Sequence, residues 1–305
     1  MSTDQSNLAA VSLFTDALRT SSAAVDAALE QLIPATPELH GRVHEAMRYA
    51  LFAGGKRLRP FLVLMSAGLF GVPERRALRV GAAIEVLHTY SLVHDDLPAM
   101  DDDDMRRGRP TTHRAFDEAT AVLAGDALLT VAFEILADEE THPSAEVRIR
   151  LVKELAVAGG RDGMIGGQMI DMQASERQFG ADEIIQLQRL KTGALFEFSC
   201  VAGAILAEAG AGHEATLREY ARDIGLTFQI TDDLLDVLST AEKTGKAVGK
   251  DAEAGKATLV SLWGIDGAKA KASALAEHAA ALVAPYGPNA AELQALPRFL
   301  LEREA

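Results

Sequence analysis

Only one cysteine, Cys200, stands in the 305 residues. It cannot form an intrachain disulfide, and it fits a reducing compartment. With Phe198, Val201 and Ala202 around it and no base beside it, Cys200 reads as a small buried residue and not as a nucleophile. Aromatic residues make up only 5% and prolines number 10, against 48% hydrophobic residues, and alanine and leucine abound. That balance favours helices, and no alternating apolar/polar stretch demands a sheet. Positive charge is also short: 30 Lys and Arg face 44 Asp and Glu, a formal net charge of −14. A general nucleic-acid binder needs a basic face, so that class is excluded. No uncharged apolar run approaches the roughly 20 residues of a membrane span, because Asp126 interrupts the longest candidate. The first ten residues are polar and acidic and hold no apolar signal core. The expectation is a cytoplasmic protein with no membrane span.

Helical periodicity fills most of the chain. Apolar positions Val11, Leu13, Phe14, Leu18, Val25, Leu29 and Leu32 open an amphipathic helix that ends before Pro34. Further helices are predicted over 39–52, 61–70, 76–93, 115–137, 145–158, 181–209, 213–237, 257–286 and 290–303. Residues 236–256, charged and rich in Gly and Lys, read as an exposed mobile loop. No linker divides the chain and no short repeat is visible, so one all-α domain over residues 1–305 is expected.

Within this helical frame the acids are concentrated. Asp95, Asp96 and Asp101 through Asp104 follow one apolar segment, and Asp232, Asp233 and Asp236 follow another. Carboxylates this close repel unless a counter-ion joins them. Oxygen-rich clusters suit Mg2+, which shares one or two carboxylates with a phosphorylated substrate. Asp232 and Asp236 lie four apart on one helix face, with Asp233 beside them and Phe228 and Gln229 one turn earlier. Asp95 and Asp101 do not share a regular face; Pro98 breaks the helix between them and lets the chain loop back.

The cations a diphosphate needs come in compact groups. Gly54, Gly55, Lys56, Arg57, Leu58, Arg59 and Pro60 put three of them on a flexible backbone before a helix start. This group lacks the spacing and hydroxyl of a P-loop. Arg106, Arg107 and Arg109 follow the first acids; Lys191 and Thr192 lie mid-chain; Lys246 and Lys256 lie in the predicted loop. His88 sits seven residues before Asp95 on the same helix, while His94 is expected to support the acids and not to ligate. Gln168 and Asp171 share a helix face and offer an amide and an acid.

Five motifs in this order resemble the polyprenyl diphosphate synthases (trans-prenyltransferases) of bacterial farnesyl type: 54–60, 95–107, 166–171, 191–192 and 228–236. The resemblance implies an isoprenoid-synthase-type helical bundle around a central prenyl-diphosphate pocket, a homodimer and three Mg2+ ions. It implies condensation of isopentenyl diphosphate with dimethylallyl or geranyl diphosphate. Lys56, Arg59, His88 and Arg107 would hold isopentenyl diphosphate. Arg106, Lys191, Thr192, Gln229, Lys246 and Lys256 would hold the allylic diphosphate. Asp95, Asp101 and Asp232 would ligate metal, with Asp96, Asp233 and Asp236 at or near it. Tyr90, five residues before Asp95, lies ~7.5 Å up the helix, where its ring would floor the pocket and stop the product at fifteen carbons. One departure is the lack of an aromatic near Leu259. A geranylgeranyl diphosphate synthase is the nearest rival. A terpene cyclase would not need the cations of 54–60, and an inactive regulatory subunit would have lost an acidic motif.

Overall fold

The computed structural model describes residues 3–173, 179–244 and 258–302. Four helices open the chain: α1 (Thr3–Leu32), α2 (Gly41–Leu51), α3 (Leu58–Gly68) and α4 (Glu74–Asp95). A short hairpin, β1 (Met105–Arg106) with β2 (Arg109–Pro110), separates them from α5 (Thr112–Ala115), α6 (Glu118–Ala137), α7 (Ala145–Gly159) and α8 (Met164–Gln173). Then α9 (Ala181–Gln188) passes through a π turn, Arg189–Gly193, into α10 (Ala194–Leu206). Last come α11 (Ala211–Thr244), α12 (Leu259–Val283), a 3-10 turn (Ala284–Ala290) and α13 (Ala291–Glu302). The architecture is all-α.

Composition decides which helix goes to the middle. In α10 every residue of 195–206 except Glu197 is buried, and a helix apolar all round has to be surrounded. The helices α3, α4, α7 and α11 pack around it. A second apolar cluster joins the later half of α11 to α9 and α12 through Ile184, Ile230, Leu234, Leu259 and Ala268. Among the described residues α6 alone is long and apolar enough to cross a membrane. Its inward face, with Ala121, Ala124, Leu128, Ala132 and Ile135, is packed core, whereas Val122 and Leu123 stand exposed.

Local chemistry sets the ends, and it moves several boundaries away from the periodicity. The helix expected from residue 115 starts at Glu118, because the Asp117 carboxylate accepts the Thr120 N–H at 2.8 Å. The loop expected over 236–256 is helical in its first part, since α11 runs to Thr244; the rest of it lies outside the described residues. Periodicity gave no helix at 164–173, where two glycines hide one, and no hairpin at 105–110, which is two residues a side. The helix expected over 181–209 is interrupted by the π turn, and that over 257–286 is kinked at Gly264, whose φ is +69°.

One buried ion pair fixes the entrance to α3. Arg57, at a left-handed φ of 49°, sends its guanidinium inward to Glu85 of α4 at 2.7 Å, to Asp26 of α1 and to the Leu51 carbonyl at 2.6 Å. Arg57 and Glu85 are each 3% exposed. Removing one member of such a pair leaves the other charge buried without compensation. Arg57→Ala is expected to lower the stability measured by urea unfolding by ~3–5 kcal/mol. A loss no larger than that of an exposed arginine would contradict this bracing role.

Candidate active site

The Arg57 brace leaves the rest of the loop free to face outward. Lys56 is exposed, while Arg59, in the first turn of α3, turns inward over the Phe196 ring, 5.2 Å from its centroid. Its Nε is buried with no hydrogen-bond partner among the described residues. Burial, and then the nearby Arg107, lower the Arg59 pKa to about 10, and Glu85 resists that shift. Arg107 arrives from the hairpin turn, where it and Gly108 both take positive φ, and its guanidinium donates to the Gly54 carbonyl. Burial depresses its pKa first, and Arg57 and Arg106 add to that. His88 is held well below its ordinary value by burial and then by Arg59, Arg107, Arg106 and Arg57. The structure therefore gathers the cations Arg59 and Arg107 around a His88 that stays neutral, with Glu85 as their buried counter-charge and the Asp96-paired Arg106 close by.

The acids sit at the end of the same helix. After α4 stops, Leu97 and Pro98 turn the chain, and the Asp101 N–H donates to the Asp95 carbonyl at 2.8 Å. Asp95 and Asp101 are thus side by side. Burial, with Asp101 adding its charge, raises the Asp95 pKa to about 6, against the pull of Lys191. Asp96 faces elsewhere: it is 3% exposed and its Oδ1 accepts from Arg106 at 2.6 Å. That pair ties the hairpin to α4, so Asp96, expected among the metal ligands, serves here as the anchor of Arg106. Asp102, Asp103 and Asp104 are exposed.

Lys191 reaches this group from the π turn. A π turn inserts an extra residue and re-aims side chains, and its Lys191 Nζ donates to Asp171 of α8 at 2.5 Å. The approach of α8 needs Gly167: a Cβ there would lie 2.2 Å from the Lys191 nitrogen. Thr192 follows on the same turn and is partly buried. One turn of α8 before Asp171, both amide atoms of Gln168 are buried without partners among the described residues, an arrangement that leaves hydrogen-bonding capacity for something else.

On α11, Asp232 and Asp236 are exposed, four residues apart, whereas Asp233 is buried. Its Oδ2 accepts the Leu259 N–H at 2.8 Å and its Oδ1 the Gln229 Nε2 at 3.1 Å. Asp233 therefore joins α11 to the start of α12 and stands apart from the exposed acids, and the Gln229 amide expected near a ligand is turned to it. Phe228 packs on Phe196, with centroids 5.5 Å apart, which links this helix to the ring under Arg59. Lys246 and Lys256 lie outside the described residues.

Residues 40–283 match the family model described as Polyprenyl synthetase. The chain belongs to the polyprenyl synthetase family. It is 50% identical to the farnesyl diphosphate synthase of Bacillus subtilis (strain 168) over 228 residues, which is 74% of this chain and 77% of that one. Against the chloroplastic geranylgeranyl pyrophosphate synthase of Catharanthus roseus it is 43% identical over 282 residues, 92% of this chain and 78% of that one. The apo crystal structure of an FPP/GFPP synthase from Zymomonas mobilis superposes with a TM-score of 0.86 at 44% identity, covering 95% of this chain and 99% of that one. In this polyprenyl synthetase the motifs point to Arg59, His88, Arg107 and Asp95, but they miss Glu85 and Phe196. Glu85 carried a signal: a lone acid inside the apolar run Ile84, Val86, Leu87 is unusual unless paired. Phe196 carried none.

The depressed His88 pKa has a definite sign. The folded chain binds this proton more weakly than the unfolded one, so His88 costs stability as pH falls below the unfolded value of about 6.5. Imidazole NMR shifts are expected to show a His88 midpoint well below 6.5, moving upward in Arg59→Met. A midpoint at or above 6.5 in the unsubstituted protein would mean that the arginines do not face it.

Proposed function

We propose that this polyprenyl synthetase is a farnesyl diphosphate synthase, joining isopentenyl diphosphate head to tail (1'-4) with dimethylallyl or geranyl diphosphate. The observation that carries this reading is the under-compensated pair of cations Arg59 and Arg107, with the neutral His88 beside them, next to the paired acids Asp95 and Asp101. The farnesyl diphosphate synthase of Bacillus subtilis supports it at 50% identity.

Each group has a task that follows from its place. Arg59, Arg107 and the exposed Lys56 hold isopentenyl diphosphate through charge-assisted contacts, and His88 adds a neutral imidazole. Lys191, Thr192, Gln168 and Arg106 hold the allylic diphosphate, with Phe228, Gln229, Lys246 and Lys256 contributing from the later part of the chain. The allylic C–O bond breaks, the alkene of isopentenyl diphosphate attacks the freed carbon, and the departing diphosphate takes the proton that the product loses. Packed apolar walls keep water from the allylic cation. No protein nucleophile is used, in keeping with Cys200, whose thiol burial pushes up.

Magnesium fits the donors present. Asp95, Asp101, Asp232 and Asp236 offer only hard carboxylate oxygens. Mg2+ is suited to that arrangement, since it takes one or two carboxylates and completes its shell with water and phosphate oxygens. When bound, the Mg2+ ions, three by family resemblance, supply charge stabilisation for the leaving diphosphate. By the family resemblance the chain would act as a cytoplasmic homodimer, and Val122 and Leu123 of α6 and Ile149 and Val157 of the adjacent α7 are exposed apolar residues open to a second copy.

Product length separates this reading from the geranylgeranyl alternative that the Catharanthus roseus relative represents. Tyr90 is 6% exposed and close enough to Asp95 for that charge, after burial, to help raise its pKa to about 12. A filled apolar site cannot admit another five-carbon unit without strain, so Tyr90 is the floor.

With Mg2+, isopentenyl diphosphate and geranyl diphosphate, mass analysis is expected to show a C15 diphosphate. Asp95→Ala should cut turnover by at least about 10²-fold while leaving the helical circular dichroism intact. Undiminished turnover in that variant would remove Asp95 from the chemistry. Tyr90→Ala is expected to release C20 or longer products; a clean stop at C15 would place the floor elsewhere.

A further inference from the structure

The helices α4 and α6 meet at a notch that no step of the proposed reaction uses. Gly125 lies inside α6, where glycine is unfavourable compared with every residue but proline. A Cβ at Gly125 would stand 2.1 Å from the His94 Nε2 and 2.3 Å from its Cδ2. The imidazole of His94 thus occupies the space a side chain would take. Its Nε2 is 3.1 Å from the Val122 carbonyl. A carbonyl only accepts, so this nitrogen carries the proton and donates. The Asp126 carboxylate stands 4.0 Å from the same nitrogen.

The other side of the imidazole faces Tyr90. One helical turn earlier on α4, the phenol ring sets itself at 90° to the imidazole, with centroids 5.5 Å apart. This edge-to-face geometry is the favoured one for aromatic rings and fixes the orientation of both. His94 is therefore gripped by α6 on one side and braces Tyr90 on the other.

We propose that His94, seated in the Gly125 notch, is a positioning residue that holds the Tyr90 ring in place and so sets the length at which the product stops. The inference rests on the farnesyl reading above. A purely structural His94 would change stability or total turnover and leave the ratio of products alone.

The test is mass analysis of the products formed by full-length wild type, His94→Ala, Gly125→Ala, His94→Phe and Tyr90→Ala from isopentenyl and geranyl diphosphates. Gly125→Ala expels the imidazole while improving helix propensity, so it keeps the question answerable if His94→Ala does not fold. In both variants the C20-to-C15 ratio is expected to rise about twofold to tenfold, the range that one aromatic edge contact spans. His94→Phe refills the notch with a ring and is expected to restore the C15 stop. Unchanged ratios in His94→Ala and Gly125→Ala, with Tyr90→Ala still elongating, would overturn the role of His94 and leave the farnesyl reading standing. Elongation in His94→Phe equal to that in His94→Ala would overturn it as well. A C15 stop in Tyr90→Ala would remove the floor and this inference with it.

Discussion

A single buried carboxylate, Glu85, makes the rest of the arrangement possible. Arg57, Arg59 and Arg107 converge near it, and like charges at such spacing repel strongly once water is excluded. Glu85 binds Arg57 directly at 2.7 Å and its charge opposes the depression of both Arg59 and Arg107. Asp26 shares Arg57 and Asp96 takes Arg106, so Glu85 steadies Arg59 and Arg107 without neutralising them. The surplus is what attracts an anion, and it lets a chain of net charge −14 present a local positive field.

The acidic side depends on the same kind of internal bracing. Asp96 is committed to Arg106 and Asp233 to the Leu259 amide. Each cluster thus has one buried acid that braces a neighbour, a guanidinium for Asp96 and a backbone amide for Asp233, and others that are more exposed, Asp95 and Asp101 on one side, Asp232 and Asp236 on the other. Adjacent residues on a helix point in different directions, so the division follows from the spacing. Lys191 reaches Asp171 because a π turn and Gly167 together allow α8 to come close.

Much of this was legible in the residue order. Apolar periodicity predicts the long helices well, since burial of one stripe drives them. Paired motifs flag Asp95, Asp232, Arg59 and Lys191, because such charges are hard to explain on a helix without a ligand. The illegible parts are those where three-dimensional contact decides. Nothing in the run from Ala181 to Leu206 announces a π turn, and the glycines of α8 conceal a helix whose contact with Lys191 needs one of them, Gly167. Arg57 and Arg59 look alike in sequence, yet a left-handed φ at Arg57 turns it to the core as a brace. Gly125 reads as a weak point of an apolar helix until the His94 imidazole is seen in its place.

On the proposed function, two differently built anion sites lie side by side, one made of cations and one completed by Mg2+ on carboxylates. Calorimetric titration of inorganic pyrophosphate, with and without Mg2+, tests it most directly. Without Mg2+ a binding event that disappears in Arg59→Met is expected, and adding Mg2+ should introduce a second event that Asp95→Ala removes. An isotherm unchanged by Mg2+, or the absence of any binding without it, would contradict the claim.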